Sequence, residues 1–159
     1  MENKKTNKRI YYNKIGKFFD QYIHGVELND QAQNKYYLQA KYLAKWNHIS
    51  VKRIVETLKS INIHKVGLYG VGDLGGVVGR DLQKKGLGVV LGIDNLAGTI
   101  MADFPIYPKD KLKMCQECDA IIITVVSEYS LIKKELKGAI NNKCTLLELD
   151  DIISMGYCL

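Results

Sequence analysis

Apolar and polar residues change their period several times along the chain, and those changes mark its elements. From Ile10 to His24, the residues Tyr11, Ile15, Phe18, Phe19 and Tyr22 recur at helical spacing, which predicts an amphipathic helix ending near Gly25. Asp30 is placed to cap a second helix running to about Trp46, with Tyr37, Leu38, Tyr42 and Leu43 as its apolar contacts. Ser50 is placed to cap a third, in which Val51, Ile54, Val55, Leu58 and Ile61 are spaced for burial. From Lys65 the pattern shortens to alternation at Val66 and Leu68 and then breaks into glycines. It returns to helical spacing from Asp73 to Lys85, with Leu74, Val77, Val78 and Leu82 on one side. A second apolar run, Val89 to Ile93, follows Gly86 and Gly88 and ends on Asp94. Lys65 to Asn95 therefore reads as strand, helix, strand, the crossover that two parallel strands need.

Beyond this unit, Phe104 to Pro108 predicts a brief third strand bounded by its prolines, and Lys109 to Cys115 a short helix. Ala120 to Val126, AIIITVV, has the continuous apolar character of a buried parallel strand. Glu128 to Lys137 predicts a helix with Leu131, Ile132 and Leu136 on one face. Cys144 to Leu149 predicts a last strand, and Asp150 begins a short helix over Ile152 and Ile153. The expected fold class is α/β: a Rossmann-like open parallel sheet of about five strands in the order 3-2-1-4-5, preceded by an N-terminal helical segment. Residues 1–62 form that basic helical segment, and residues 63–159 the nucleotide-binding domain.

The glycines carry the candidate chemistry. Gly70, Gly72 and Gly75 give G-x-G-x-x-G, with Gly79 one helical turn further. In such a loop the first glycine permits the tight turn out of the strand. The second lets backbone approach a pyrophosphate, and the third lets helix and sheet pack closely. The helix that follows would then direct unpaired N–H groups and the positive end of its dipole at a phosphate. Asp94 stands 19 residues after Gly75 at the end of the second strand, where a carboxylate accepts hydrogen bonds from a ribose diol. It would also repel a 2′-phosphate, which favours NAD(H) over NADP(H). Asp73 runs against the pattern: it can cap the helix, yet its charge would sit near the phosphates. The candidate ligand contacts are Gly70, Val71, Gly72, Asp73, Leu74 and Gly75 of the loop, Asp94 and Asn95 at the end of the second strand, and Thr124 and Val125 at the carboxyl end of the fourth. Ligand is expected across the carboxyl ends of the first and fourth strands.

Composition narrows the alternatives. Of 159 residues, 47% are hydrophobic and 25% charged, ordinary values for one globular core with an appendage. No apolar run is long enough to cross a bilayer and no signal peptide is evident, so a cytoplasmic protein is expected. The net charge of +6 is uneven. Met1 to Ser60 holds twelve basic and five acidic residues, the remainder eleven basic and twelve acidic. The excess positive charge thus lies outside the nucleotide fold, where it can meet an acidic partner or surface. Cys115 and Cys118 form a single C-x-x-C without further ligands at zinc spacing, so the four cysteines are expected to be reduced and non-catalytic, and no metal is assigned.

LYGVGDLGGVVGRDL, GIDN, FPIYP, DAIIITVV and LLELDDI together resemble the small Rossmann-like nucleotide-binding domains attached to bacterial enzymes of sugar-nucleotide and surface-polysaccharide metabolism. The pattern is similar to the N-terminal domain of nucleotide-sugar acetyltransferases and to domains beside methyltransferases and glycosyltransferases. It covers about Lys65 to Ile153. The resemblance implies that Gly70 to Gly75, with Asp94 and Asn95, hold the nucleotide, which is NAD or a nucleotide-sugar. The acetyltransferases' hexapeptide-repeat solenoid is missing, so that activity does not carry over.

Three functions follow from these readings. The first is a nucleotide-binding module of sugar-nucleotide or polysaccharide metabolism, acting as a subunit or accessory protein. The second is an NAD-dependent oxidoreductase or epimerase-type enzyme completed by a partner. Tyr129 and Lys133 give the Y-x-x-x-K spacing of short-chain dehydrogenases, but Tyr37 and Lys41 repeat it and the glycine pattern differs, so no catalytic residue is assigned. The third is an NADH-sensing regulator that grips DNA through its basic helices. That segment lacks a turn-helix signature, and nucleic acid is not expected as a partner. The aromatic N-terminal helices are the expected contact of a homodimer.

Overall fold

The computed structural model describes residues 30–157, and the helix predicted over Ile10 to His24 lies outside them. Chain contacts divide the protein into two compact units, Met1–Tyr37 and Leu38–Leu159. Of the first, residues 30–37 are described, as the opening turns of helix α1 (Asp30–Asn47). The second holds the remainder of α1, helix α2 (Val51–Ser60) and a sheet with its covering helices.

Ser50 caps α2 as its sequence suggests, its hydroxyl accepting from Arg53 N at 3.3 Å. The order continues with β1 (Lys65–Tyr69), α3 (Asp73–Lys84), β2 (Gly88–Ile93) and β3 (Ile106–Tyr107). A 3-10 segment (Lys109–Glu117), β4 (Ala120–Ile123), α4 (Tyr129–Ala139), β5 (Thr145–Glu148) and α5 (Leu149–Gly156) complete it. All four strand pairings are parallel, and the order across the sheet is β3-β2-β1-β4-β5. The sheet is therefore the five-stranded open α/β arrangement that the alternation of strand and helix patterns predicts.

Both faces are covered, which is why β4 consists of AIII with no residue exposed. On one face, Tyr69, Leu91, Ile93, Ile121 and Ile123 meet the 3-10 segment through Leu112 and Cys115, and α4 through Ile132 and Leu136. On the other, α3 lies on β1 and β2, with α2 and α5 beside it. Each fully buried Ile or Leu contributes about 1.5–3 kcal/mol relative to an exposed one, so these two layers dominate the stability of the unit.

Several expected positions differ. Tyr37, Ile61 and Leu131 are exposed at 65%, 53% and 67%. Ile61 is the C-cap residue, beyond the last turn of α2. Leu131 sits one position off the stripe that Ile132 and Leu136 direct at the sheet, and Tyr37 is five residues from buried Tyr42, well round the helix. The fourth strand stops at Ile123 rather than Val126: Thr124 N still donates to Tyr69 O of β1 at 3.0 Å, and the chain then enters a 3-10 turn over Val126–Glu128. The third strand shrinks to two residues, since Phe104 turns inward against α3 and β2.

Candidate functional site

The turn after β1 is built by its glycines, each for a different reason. Gly70 has φ +90°, a left-handed conformation that favours glycine, and a Cβ there would lie 2.9 Å from Thr124 Oγ1. A Cβ on Gly75 would overlap the Gly70 carbonyl oxygen, so the first turn of α3 rests directly on the loop. At Gly79 a Cβ would press on Leu68 at 2.6 Å and on the Phe104 ring at 3.2 Å. Packing therefore accounts for Gly70, Gly75 and Gly79. It does not account for Gly72, where a Cβ would meet nothing within 4 Å.

Gly72 is also the N-cap of α3. It has no side chain to offer, and no side-chain capping bond satisfies the first-turn N–H groups. Asp73 is exposed in the first turn and makes no capping bond, which replaces the expectation that it caps the helix. Val71 and Leu74 are buried and serve packing, although both belong to the loop read as ligand-contacting.

Asp94 is brought to this loop as the G-x-G-x-x-G spacing suggests, and the protein already uses it. One carboxylate oxygen accepts from Val71 N at 2.8 Å, the other from Leu96 N at 2.9 Å. An ionised carboxylate has about four acceptor positions, so two remain for a ribose diol. Asn95 beside it is exposed. The end of β3 also reaches this corner, Tyr107 O accepting from Asp94 N at 3.0 Å.

Thr124 is the buried polar side chain of the site, 5% exposed. Its hydroxyl lies 2.6 Å from Gly70 O and 3.1 Å from Tyr69 O, and its single proton goes to the nearer carbonyl. Thr124 thus acts as a peg from β4 beneath the turn, and half-buried Val125 closes against Gly70 from the same side.

A second polar group stands on the face covered by α4. Tyr69 is 2% exposed, its hydroxyl donates to Glu135 Oε2 at 3.2 Å, and Lys109 Nζ lies 5.5 Å from its ring centroid. Burial raises the Tyr69 pKa, and the Tyr69 hydroxyl in turn raises that of Lys109. Sequence reading did not connect these three, because 66 residues separate Tyr69 from Glu135. The one available signal was a polar-tipped tyrosine ending an otherwise apolar buried strand. The Y-x-x-x-K pair is in contact, Lys133 Nζ lying 5.2 Å from the Tyr129 ring centroid.

Cys115, Cys118 and Cys144 are free, buried and share one apolar cluster. Burial pushes their thiols up to about 11, 12 and 11. Among the described residues no group of three or more His, Cys, Asp or Glu is arranged to hold a metal ion, and no helix is long and apolar enough to cross a membrane.

Fold and loop together define a doubly wound parallel domain of Rossmann-like strand order, with an uncapped helix mouth at the carboxyl end of its central strand. Neither a protein-family model, nor a curated protein, nor a solved structure matches the chain.

Proposed function

We propose that the unit beginning at Leu38 is a nucleotide-binding module that receives the diphosphate of NAD(H) or of a nucleotide-sugar at the mouth of α3. In this reading it serves sugar-nucleotide or surface-polysaccharide metabolism as a subunit or accessory protein. The observation that supports it is Gly72: a glycine that packing does not require, at the N-cap of a helix whose first amides no side chain satisfies. A diphosphate there would accept those amides and meet the positive end of the helix dipole. The remaining acceptor positions of Asp94 suit a ribose diol, and its charge disfavours a 2′-phosphate.

The test is a thermal-shift panel of NAD(H), NADP(H), UDP- and GDP-sugars and S-adenosylmethionine on the wild type and on Gly72→Val. A Cβ at Gly72 meets nothing within 4 Å, so the variant is expected to fold and its branched side chain to block the mouth. NAD(H) or a nucleotide-sugar is expected to stabilise the wild type, by about 2.7 kcal/mol at a hundredfold excess over Kd, and to leave Gly72→Val unmoved. Equal shifts in both proteins would remove the phosphate assignment. Asp94→Ala is expected to weaken NAD(H) most, and it also frees the Val71 and Leu96 amides, so its stability without ligand is measured alongside. Ligand-induced stabilisation without turnover supports the module. NADH oxidation with added sugar nucleotide would favour the oxidoreductase instead.

A further inference from the structure

The carboxyl edge of the sheet has a second half, on the side of α4, that the glycine loop and Asp94 leave unused. Tyr69 immediately precedes Gly70, and Lys109 Nζ, on the 3-10 segment that follows β3, lies 5.5 Å from its ring centroid. From β4, Val125 closes against Gly70, and its carbonyl oxygen accepts from Glu128 N at 3.2 Å. Lys109 and Glu128 therefore approach the same end of β1 from two different elements.

Glu128 is the N-cap residue of α4, yet its side chain makes no capping bond. It is exposed and joins no ion pair among the described residues. Lys109 is half-buried, and the Tyr69 hydroxyl raises its pKa against the opposing effect of burial, with Glu135 and Glu128 adding to the rise. It is thus a cation at neutral pH, and of the three donors of an ammonium the Tyr69 oxygen can accept one. Glu135 accepts the Tyr69 proton at 3.2 Å, and Ser127 beside Glu128 is exposed. The corner therefore offers donors and acceptors together, with its carboxylates outnumbering its cation.

Hydroxyl groups donate and accept at once, so a sugar can use both signs of charge here, whereas a nicotinamide ring brings a single amide. A sugar carrying its own carboxylate would be repelled by Glu128 and Glu135. We infer that a ligand seated at the mouth of α3 crosses over Gly70 and that its second half is a neutral, hydroxyl-rich sugar held by Lys109 and Glu128. This rests on the reading of the glycine loop as a diphosphate site, and within that reading it selects the nucleotide-sugar over NAD(H).

The experiment is isothermal titration calorimetry of the full chain with UDP, UDP-glucose, UDP-glucuronate, GDP, GDP-mannose and NAD+, on the wild type, Gly72→Val, Glu128→Ala and Lys109→Gln. For at least one base, the neutral sugar conjugate is expected to bind at least about tenfold more tightly than the bare diphosphate. Glu128→Ala, altered at an exposed side chain that caps nothing, is expected to bring that ratio close to one, and Lys109→Gln to lower it. UDP-glucuronate is expected to bind more weakly than UDP-glucose. Where Gly72→Val abolishes binding, the loop reading stands by itself. The sugar assignment is then overturned by equal affinities of conjugate and bare diphosphate, by a ratio that survives Glu128→Ala, by UDP-glucuronate matching UDP-glucose, or by NAD+ binding more tightly than either nucleotide-sugar. Binding that persists in Gly72→Val, or no binding of any probe to the wild type, would overturn both.

Discussion

At the scale of single residues, the glycine turn separates glycines that the fold requires from one that it does not. Gly75→Ala would drive a methyl group into the Gly70 carbonyl, and a loss of about 3 kcal/mol is expected because neither backbone segment can retreat. Gly72→Ser should behave in the opposite way. Serine is a better N-cap than glycine, so the variant is expected to gain a few tenths of a kcal/mol in urea denaturation. Its hydroxyl would then occupy an amide that a phosphate needs, and the ligand-induced thermal shift should fall. Gain of stability together with undiminished ligand response would sink the proposed use of the helix mouth. Thr124→Val removes the donor to Gly70 O from a buried position, with an expected cost of about 1–3 kcal/mol, whereas Thr124→Ser keeps the hydroxyl and most of the stability.

Between elements, a few polar contacts tie the covering helices together. Trp46 on α1 donates to Asp81 Oδ2 of α3 at 3.0 Å, Ser50 N donates to Gly156 O of α5, and the Tyr42 hydroxyl of α1 donates to Asp150 of α5. The last contact has a pH signature. The Tyr42 hydroxyl, helped by Lys45, holds Asp150 below the usual carboxylate range against the opposing effect of burial. A depressed folded pKa contributes stability above the unfolded value of about 3.9, which is lost as the pH falls through the folded value. Burial, and then the bond to Asp150, pushes Tyr42 up to about 12. That contribution is whole below the unfolded value of about 10 and is lost as the pH rises through the folded value. The stability difference between wild type and Tyr42→Phe should therefore be level between about pH 5 and pH 10 and shrink on both sides. Urea midpoints for both proteins across that range measure it, and a difference that stays flat at both extremes would show that the contact does not link α1 to α5 in solution.

For the molecule as a whole, the thiols report on integrity. Cys115, Cys118 and Cys144 are raised by burial to about 11, 12 and 11, so almost no thiolate exists at neutral pH. Iodoacetamide labelling near pH 8, mapped by mass spectrometry, should be slow at these three sites in the native protein and fast in urea. Rapid native labelling at any of them would contradict the packed cluster. The same shifts leave stability unaffected below the unfolded thiol value of about 8.5 and lower it as the pH climbs above that, because the unfolded chain ionises first. By itself the sequence determined the α/β class, the parallel order and the glycine turn followed by Asp94, since period, turn chemistry and short spacing are local properties of the chain. It also marked Ser50 as a cap, a signal confined to four residues. Only the tertiary structure decided which glycines are packed and which is open, because that depends on Leu68, Phe104 and Thr124 arriving from elsewhere. The same holds for the meeting of Tyr69, Lys109 and Glu135, for Thr124 acting as a peg beneath the turn, and for the gathering of three cysteines. Those are distances between residues far apart in the chain, and they exist only once the sheet has closed its layers.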